Sequence, residues 1–483
     1  MEADIAIVFL NFDMEIKKLK AIDCLESSPI KHLILDPIYI CRPVLQTNKT
    51  ITNDQHYSGI SLQILSNQNP SISMIEGPIG SGKTSIIVNS VLKIFEDQQP
   101  EKKSSILICS KDQNRLDNIL RQIIARSKNP SLSAVIWAND QQIQPKLQSF
   151  SINSLVQKEF DKIKNLSATK ESESQIANEF ERIRKDLEMK KLLLERQRLK
   201  TEIIDKAELV CSSLLTCSTL HNFNKKFDIC IIEDSSEIEE SLSVLIMLFN
   251  IKHLVLVGET SSLNQEINIS NQSLFQRIKS RIHPDQILRI NTQYRMHPEI
   301  FSWTNQYLYN NAFKSGNYND SLCLFESYIV FNLFDSVFDG LNDINKKEVE
   351  FITNLYQEMI KKMSANMYSY NIFTPYSKQR NEFIEKCKYF KTLPYLDTLN
   401  PTPCFERDIV LYSSTNTNIK DFDISRTIAA LTRAKRCLII VGEFETKKVN
   451  PMWANLIENA RGRGVYYSIG SFETHKAMQY LSR

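Results

Sequence analysis

The sequence predicts an α/β protein whose first half is a doubly wound sheet of parallel strands. Three of its 11 glycines fall within positions 77–82, between a short apolar strand and an apolar helical stretch at 85–95. Mostly apolar runs of strand length also recur along this half, which is typical of parallel strands that are buried on both faces. These runs lie at 72–75, 105–109, 229–232 and 253–258.

The clustered glycines match the spacing of a phosphate-binding loop, Gly77-x-x-x-x-Gly82-Lys83-Thr84. Glycine lets backbone N–H groups curl around phosphate oxygens at a helix N-terminus, where unpaired donors and the helix dipole favour anions. In such loops the lysine reaches the β and γ phosphates and the following hydroxyl binds Mg²⁺. We therefore predict a bound nucleotide, with Gly77, Gly80, Gly82, Lys83 and Thr84 as its binding residues.

Two adjacent carboxylates complete the predicted metal site. Glu233 and Asp234 directly follow the apolar run at 229–232. In open α/β sheets, ligands bind at the carboxyl ends of the strands. Thr84 and Glu233 are therefore the predicted Mg²⁺ ligands, since both offer the oxygen atoms that this ion prefers.

Charge and cysteine content leave the binding partner open. The 59 basic and 56 acidic residues give a net charge of +3, which neither requires nor excludes nucleic acid. The 10 cysteines are scattered along the chain and include no Cys-x-x-Cys pair. We expect reduced, buried thiols and neither a zinc ribbon nor a disulfide framework.

No sequence feature predicts secretion or membrane insertion. Four acidic residues lie among the first 20 positions, which the apolar core of a signal peptide does not tolerate. No run of about 18 apolar residues occurs, so no membrane span is expected. We therefore expect an intracellular, soluble protein without a membrane partner.

The second half contains the most specific string in the sequence, Asn291-Thr-Gln-Tyr-Arg-Met-His-Pro298. It resembles the signature of the superfamily 1 helicases grouped with senataxin and the nonsense-mediated-decay helicase. Two further strings, at 373–379 and 423–435, resemble motifs of the same family in the same order. Upstream, 52–55 resembles the glutamine motif of these enzymes, 109–118 the first nucleic-acid motif and 273–278 the segment that closes the first domain. The resemblance extends from about residue 53 to residue 442.

The resemblance implies an ATP hydrolase with Mg²⁺, built from two RecA-like P-loop domains in tandem with an inserted helical hairpin. The first domain is expected at 51–285, with the helical insertion at 153–206, and the second at 286–445. Residues 1–50 are expected to form a reduced N-terminal accessory region, since they are too few for the β-barrel that many family members carry there; either the rest of that region has been lost, or it lies outside this chain. Residues 446–483 are expected to form a C-terminal tail that packs on the motor core.

The resemblance also implies roles for residues around the nucleotide. Gln55 is expected to read the adenine edge, and Tyr294 is expected to stack on the adenine ring. Arg295 and Arg433 resemble the two arginine fingers of the family, which reach the γ-phosphate from the second domain. Because they belong to the other domain, hydrolysis requires domain closure. The predicted catalytic residues are Lys83, Glu233, Asp234, Arg295 and Arg433.

The polar segment at 155–206 has the pattern of two helices. Apolar residues recur at helical spacing on both sides of a Ser/Thr-rich break at 167–174. We predict an antiparallel hairpin with a narrow apolar seam that protrudes from the first domain, and senataxin-like helicases carry a comparable stalk. Its charged faces are either simply solvated, or they contact phosphates through basic residues between Lys185 and Lys200.

Three departures from the family pattern concern the chemistry. The family usually has Asp-Glu where this chain has Glu233-Asp234, so that Glu233 takes the metal and Asp234 activates the water. Aspartate is one methylene shorter, and a misplacement of about an ångström can cost ~100-fold in rate. Ser262 stands where the γ-phosphate-sensing glutamine is expected. The fifth motif, at 397–408, retains Glu406 and Asp408 but lacks the Gln-Gly pair.

The leading hypothesis is an ATP-dependent helicase or translocase that acts on single-stranded RNA or DNA. The strand is expected to bind through sugar-phosphate contacts with little sequence preference, at Asp112, Gln113, Ser213 and Thr374. The alternative is a degenerate helicase-like scaffold that binds ATP and hydrolyses it slowly or not at all. The resemblance implies a nuclear location, with the cytoplasm as the alternative, and the sequence identifies no protein partner.

Overall fold

The computed structural model describes residues 2–36, 69–98, 103–129, 132–167, 178–259, 272–318, 324–336, 344–362, 368–398, 405–415, 423–445 and 450–482. The chain divides into two units. The first comprises Met1–Glu76, Lys83–Thr260 and Ile267–Arg289, and the second comprises Gly77–Gly82, Ser261–Glu266 and Ile290–Arg483. Among the described helices, none combines the length and the apolar character that a membrane span requires.

The first unit is built on a seven-stranded sheet in which neighbouring strands are parallel. In chain order its strands are β1 (Ser71–Glu76), β2 (Ile106–Ser110), β3 (Ala134–Ile136), β4 (Leu209–Ser213), β5 (Ile229–Ile232), β6 (His253–Gly258) and β7 (Ile287–Arg289). Their order across the sheet is β3-β4-β2-β5-β6-β1-β7. The predicted parallel sheet is confirmed, and β5 and β6 have the predicted bounds.

The segments between the strands of the first unit form helices because their apolar residues recur at helical spacing. In α4, the buried residues Leu116, Ile119 and Ile123 recur at intervals of three and four, which places them on one helix face. The helix begins where the carboxylate of Asp112 accepts a hydrogen bond from the backbone N–H of Asn114. The helices of this unit are α1 (Glu2–Ser27), α2 (Lys31–Leu35), α3 (Lys83–Asp97), α4 (Gln113–Arg126), α5 (Ile152–Ser167), α6 (Asn178–Lys206), α7 (Leu214–Cys217), α8 (Glu240–Ser243) and α9 (Leu274–Lys279).

The N-terminal helices pack on the core of the first unit. Ala21 of α1, together with Leu33 and Ile34 of α2, is buried in the same apolar cluster as Ile72 of β1. Burial of this apolar surface stabilises the unit, because the surface is removed from water. The described part of the predicted accessory region is therefore integral to the first unit.

Helices α5 and α6 lie in the predicted insertion. They meet where Arg196 of α6 donates a hydrogen bond to Gln157 at 2.8 Å and places its guanidinium over the ring of Phe160, 5.4 Å from the centroid. Ile152 and Leu199, one from each helix, are buried in the core of the first unit. The protrusion of this pair as a stalk, and its contacts with phosphates, stay predictions.

The second unit is built on a six-stranded sheet of parallel strands. Two short strands, β8 (Thr292–Gln293) and β9 (Lys314–Ser315), pair separately. The sheet strands are β10 (Tyr328–Leu333), β11 (Tyr370–Thr374), β12 (Tyr395–Thr398), β13 (Arg407–Ser413), β14 (Ala434–Gly442) and β15 (Tyr466–Ile469), in the order β12-β11-β13-β14-β10-β15. The helices are α10 (Pro298–Tyr309), α11 (Lys346–Lys362), α12 (Ser377–Cys387), α13 (Ile424–Leu431), α14 (Pro451–Gly462) and α15 (Thr474–Leu481).

The C-terminal residues complete the second sheet. Strand β15 pairs in parallel with β10, with Val330 opposite Tyr466. Leu456 of α14 and Leu481 of α15 are fully buried in the cores of this unit. The described part of the segment expected as a tail therefore supplies an edge strand and two packed helices to the second unit.

The described cysteines are free thiols, and all of them except Cys24 are buried. Burial raises the pKa of the Cys387 thiol to about 11. It raises the pKa of Cys211 well above the usual range of a thiol. In the described part of the chain the buried cysteines are therefore core side chains.

A buried carboxylate organises the carboxyl edge of the second sheet. Glu348 of α11 is fully buried. Its Oε2 accepts hydrogen bonds from the hydroxyl of Ser413 at 2.7 Å and from the backbone N–H of Thr415 at 2.9 Å. Its Oε1 accepts a hydrogen bond from the amide of Asn345 at 3.1 Å. These contacts join the start of α11 to the end of β13, and each donor would be costly to leave unpaired.

Removing this carboxylate is expected to destabilise the second unit. Glu348→Ala leaves the Thr415 N–H and the Ser413 hydroxyl without their buried acceptor, which should cost about 3 kcal/mol of unfolding free energy. The matched control is Glu350→Ala in the same helix. Glu350 is half-exposed and pairs with Lys386 at 3.4 Å, a surface contact worth about 0–1 kcal/mol.

Urea unfolding followed by tryptophan fluorescence measures this effect. The sequence has 3 tryptophans, of which Trp303 and Trp453 belong to the second unit. A Trp137→Phe background therefore restricts the signal to that unit. Equal unfolding midpoints for Glu348→Ala and Glu350→Ala would contradict the structural role of the buried carboxylate.

Candidate functional site

The glycine-rich loop connects β1 to α3. Gly80 and Gly82 have φ angles of +79° and +86°, in the left-handed region that residues with a Cβ rarely adopt. A Cβ added at Gly77 would lie 2.6 Å from the hydroxyl of Ser81 and 3.0 Å from Cβ of Ile290, so a neighbouring side chain would have to shift to admit it. Helix α3 begins at Lys83, and the loop therefore leads into a helix amino end, whose first N–H groups have no acceptor within the helix itself.

Thr84 and Glu233 meet at the carboxyl edge of the first sheet. The hydroxyl of Thr84 donates a hydrogen bond to Oε1 of Glu233 at 2.8 Å. Glu233 is 4% exposed, and its Oε2 is buried without a hydrogen-bond partner among the described residues. Burial raises the pKa of Glu233, against the opposing effects of Arg115, Thr84 and Lys83. A buried, incompletely paired carboxylate beside a hydroxyl is a donor set that suits Mg²⁺.

Lys83 pairs with an acidic residue to which no role was assigned from the sequence. Its Nζ lies 3.3 Å from Oε2 of Glu259, the residue directly after β6. The backbone N–H of Glu259 donates a hydrogen bond to the hydroxyl of Ser236 at 3.0 Å. The pair forms because β1 and β6 are neighbours, with Glu76 opposite Gly258 at their carboxyl ends. Glu259 directly follows an apolar run, and this position is the sequence signal that could have identified it.

Asp234 is held in an ion pair with Arg115 of α4. A second carboxylate oxygen, Oε2 of Glu237, lies 3.8 Å from the same guanidinium. Asp234 has φ and ψ angles of +49° and +39°, a left-handed conformation that is uncommon outside glycine. The pair forms because β2, which leads into α4, lies beside β5. Arg115 lies within the segment at 109–118 that resembles the first nucleic-acid motif, but no role at the site was predicted for it.

In the second unit, Gln293 holds the turn that presents Tyr294 and Arg295. Its buried Oε1 accepts hydrogen bonds from the backbone N–H groups of Arg295 at 3.0 Å and Met296 at 2.8 Å. Tyr294 is 52% exposed. Its ring packs on Gly316, where an added Cβ would lie 2.5 Å from the ring atoms. The turn therefore leaves about half of an aromatic side chain accessible for stacking.

Glu406 brings basic side chains together at the amino edge of the second sheet, directly before β13. Its carboxylate lies 2.6 Å from Nε of Arg295 and 3.3 Å from Nζ of Lys435. Burial by itself would raise the pKa of Glu406, but Arg295, Lys435 and Arg433 together lower it. Arg433 directly precedes β14 and donates a hydrogen bond to the carbonyl of Ala429 at 3.1 Å. Both predicted arginine fingers thus act on one ionised carboxylate.

The predicted nucleic-acid contacts of the first unit lie at the carboxyl ends of its strands. Asp112 caps α4, and Ser213 caps α7 by accepting a hydrogen bond from the N–H of Thr216 at 3.2 Å. Gln113 is buried and donates a hydrogen bond to Asp117 at 2.8 Å. These side chains have partners inside the unit, and their contacts with nucleic acid stay predictions.

Thr374, the predicted nucleic-acid contact of the second unit, ends β11. Its buried hydroxyl lies 2.9 Å from the hydroxyl of Thr415, within hydrogen-bond distance. Its role in strand binding also stays a prediction. Gln55, the predicted adenine-binding residue, and Ser262 both lie outside the described residues.

Comparisons with known proteins match both halves of the chain. Residues 52–192 and residues 270–445 each match a family model described as “AAA domain”. “Helicase sen1” of Schizosaccharomyces pombe is 22% identical, over 82% of this chain and 29% of that protein. “Probable helicase senataxin” of Mus musculus is 24% identical, over 96% of this chain and 22% of that protein. “Regulator of nonsense transcripts 1 homolog” of Drosophila melanogaster is 20% identical, over 82% of this chain and 35% of that protein.

The chain spans about a third or less of the length of these relatives. The matched regions include the phosphate-binding loop in one half and the turn carrying Tyr294 and Arg295 in the other. Each half also contributes a sheet of parallel strands, as expected for RecA-like domains in tandem. On the strength of its motifs and these matches, the chain belongs to the superfamily 1 helicases of the senataxin and nonsense-mediated-decay group.

Proposed function

We propose that this chain is an ATP-dependent helicase or translocase that moves along single-stranded RNA or DNA. The observation that carries the proposal is the hydrogen bond from Thr84 to Glu233. It joins the hydroxyl of the phosphate-binding loop to the acid at the end of β5, as an Mg-dependent nucleotide hydrolase requires. Membership in a family of helicases supports the reaction, and it supports a nuclear location as part of the proposal.

In the proposed reaction, the first unit binds the phosphates and prepares the water. When ATP binds, the ammonium group of Lys83 leaves the carboxylate of Glu259 and contacts oxygens of the β and γ phosphates. Thr84 and Glu233 would hold Mg²⁺, which supplies charge neutralisation at the phosphates. Asp234 orients the attacking water, for which its carboxylate needs a free oxygen.

The second unit is proposed to stabilise the transition state. Arg295 and Arg433 would bind the charge that develops on the transferred phosphoryl group. Glu406 positions Arg295, because its lowered pKa keeps the carboxylate ionised at neutral pH and the two groups lie 2.6 Å apart. Tyr294 would stack on the adenine ring.

The nucleic-acid strand is proposed to bind through its sugar-phosphate backbone, with little sequence preference and with an affinity that falls as salt rises. These contacts would form near the carboxyl ends of β-strands, at Asp112, Gln113, Ser213 and Thr374. Their side chains have internal partners. We therefore propose that backbone groups at these positions, more than the side chains, bind the nucleic acid.

ATP turnover with and without single-stranded RNA or DNA tests the proposal. We expect a strand to raise turnover of the wild-type chain by about tenfold or more, which corresponds to about 1.4 kcal/mol of barrier. Lys83→Ala should lose turnover under both conditions. The matched control is Lys93→Ala, because Lys93 lies in the same helix and pairs with Asp97 at 2.8 Å near the surface. Nucleotide binding without strand-stimulated turnover would contradict the motor and favour the scaffold alternative.

A further inference from the structure

Arg115 occupies a position in α4 where a basic side chain opposes the helix dipole. Helix α4 begins at Gln113, so Arg115 lies in its first turn, where the helix carries partial positive charge. Acidic side chains are favoured at this end, and basic ones are not. Arg115 goes against this charge preference, and it does so beside a proposed catalytic residue. Such a departure indicates that the Arg115 side chain has a function there.

The guanidinium of Arg115 lies among carboxylates at the carboxyl end of β5. It forms an ion pair with Asp234, and Oε2 of Glu237 lies 3.8 Å from it. The side chains of Arg115 and Asp234 are 21% and 16% exposed. Water and salt therefore screen this pair less than they screen an exposed surface pair.

The ion pair engages the carboxylate that is proposed to orient water. The contact with Arg115 is made by Oδ2 of Asp234, so it occupies one of the two carboxylate oxygens that could accept a hydrogen bond from water. Aspartate is also shorter than the glutamate of the family, and the left-handed backbone at Asp234 sets the direction in which it leaves β5. A displacement of about one ångström is enough to lower a reaction rate substantially. While the pair is intact, Asp234 is directed to Arg115.

We propose that Arg115 is a positioning residue that restrains Asp234 and keeps ATP turnover low until a nucleic-acid strand is bound. A strand phosphate fits as the competitor, because a guanidinium binds phosphate and carboxylate oxygens in the same forked manner. Asp112 and Gln113, just before Arg115 in the chain, are proposed strand contacts. The inference rests on the proposed function and adds the residue through which the strand controls the chemistry.

Arg115→Gln tests the restraint, because glutamine keeps hydrogen-bond donors and removes the charge. ATP turnover of the full chain is measured without a strand and at saturating single-stranded RNA. We expect strand-free turnover to rise about tenfold and strand-saturated turnover to change less than about twofold, so that their ratio changes about tenfold. Arg121→Gln is the matched control, since Arg121 lies on the surface of the same helix and donates to Asn118 at 2.9 Å. Its ratio should equal that of the wild type.

The ratio of strand-saturated to strand-free turnover decides the outcome. If it does not fall in Arg115→Gln, the restraint is overturned, and this includes a joint drop of both rates such as a folding defect would cause. Failure of the proposed function is seen separately, as a wild-type chain that the strand does not stimulate. In that case higher turnover in Arg115→Gln than in the wild type supports the restraint, and equal or lower turnover overturns it.

Discussion

Arg295→Ala is expected to lower strand-stimulated ATP turnover about a thousandfold, at the lower end of the effect of an arginine finger. The guanidinium would stabilise charge that develops only in the transition state, so kcat should fall while the Kd for ATP changes by less than about tenfold. The second unit presents the residue for this role. Nε of Arg295 lies 2.6 Å from Glu406, and Gln293 holds the turn that carries Arg295.

Single-turnover hydrolysis and equilibrium binding of a fluorescent ATP analogue separate the two effects. Arg295→Lys keeps the charge but loses the planar fork, so it should recover little of the lost rate. The control is Arg461→Ala, since Arg461 is an exposed arginine of the same unit that pairs with Glu445 at 2.9 Å. If turnover of Arg295→Ala stays within about threefold of the control, the residue does not stabilise the transition state.

Glu233→Gln is expected to separate stability from activity. Glutamine keeps the shape of the side chain and an acceptor for Thr84, but it lacks the charge that would bind Mg²⁺. Turnover should fall about a thousandfold, because a metal ion at the phosphates supplies several kcal/mol of charge stabilisation. Stability without nucleotide should stay the same or rise, since the ionised Glu233 is buried and its Oε2 has no hydrogen-bond partner in the described part of the chain.

The sign of the stability effect follows from the pKa of Glu233, which burial raises. The folded chain binds this proton more tightly than the unfolded chain does. The stability that the group contributes is therefore present at low pH and is lost as pH rises through the window above the ordinary pKa of a glutamate. Glu233→Gln has no such loss, so its advantage over the wild type should grow as pH rises above the ordinary pKa of a glutamate.

Thermal denaturation across this pH range and ATP turnover across an Mg²⁺ titration measure the two effects of Glu233→Gln. The control is Glu202→Gln, because Glu202 lies on the exposed side of α6 and pairs with Arg198 at 3.0 Å. The control should leave both measurements unchanged. A melting temperature for Glu233→Gln clearly below that of the wild type at neutral pH, or wild-type turnover at every Mg²⁺ concentration, would contradict the assignment of Glu233 to the metal.

Much of the first unit could be predicted from the sequence, because its signals are local. The apolar runs at 229–232 and 253–258 are strands with those bounds, since a strand buried on both faces has a continuous apolar pattern. The glycines at 80 and 82 have the positive φ angles that the loop requires. One long-range contact, between Thr84 and Glu233, could also be predicted from the sequence, because the carboxyl ends of parallel strands share one edge of the sheet.

The partners of the charged residues could not be predicted. Arg115 and Asp234 are far apart in the chain, and no periodicity relates them. They meet because β2 and β5 are neighbours, just as Lys83 meets Glu259 because β1 and β6 are neighbours. A guanidinium or an ammonium group pairs with any carboxylate within reach, so the residue type alone does not identify the partner.

By itself the sequence determined where four parallel strands of the first unit and the phosphate-binding loop lie. Each of these depends on residues within a few positions of one another, and their patterning survives in the one-dimensional order of the chain. Only the tertiary structure decided which oppositely charged residue each site residue faces. Asp234 faces Arg115, and Arg295 faces Glu406. An ion pair depends on strand order and on exclusion of water, and both are properties of the whole fold.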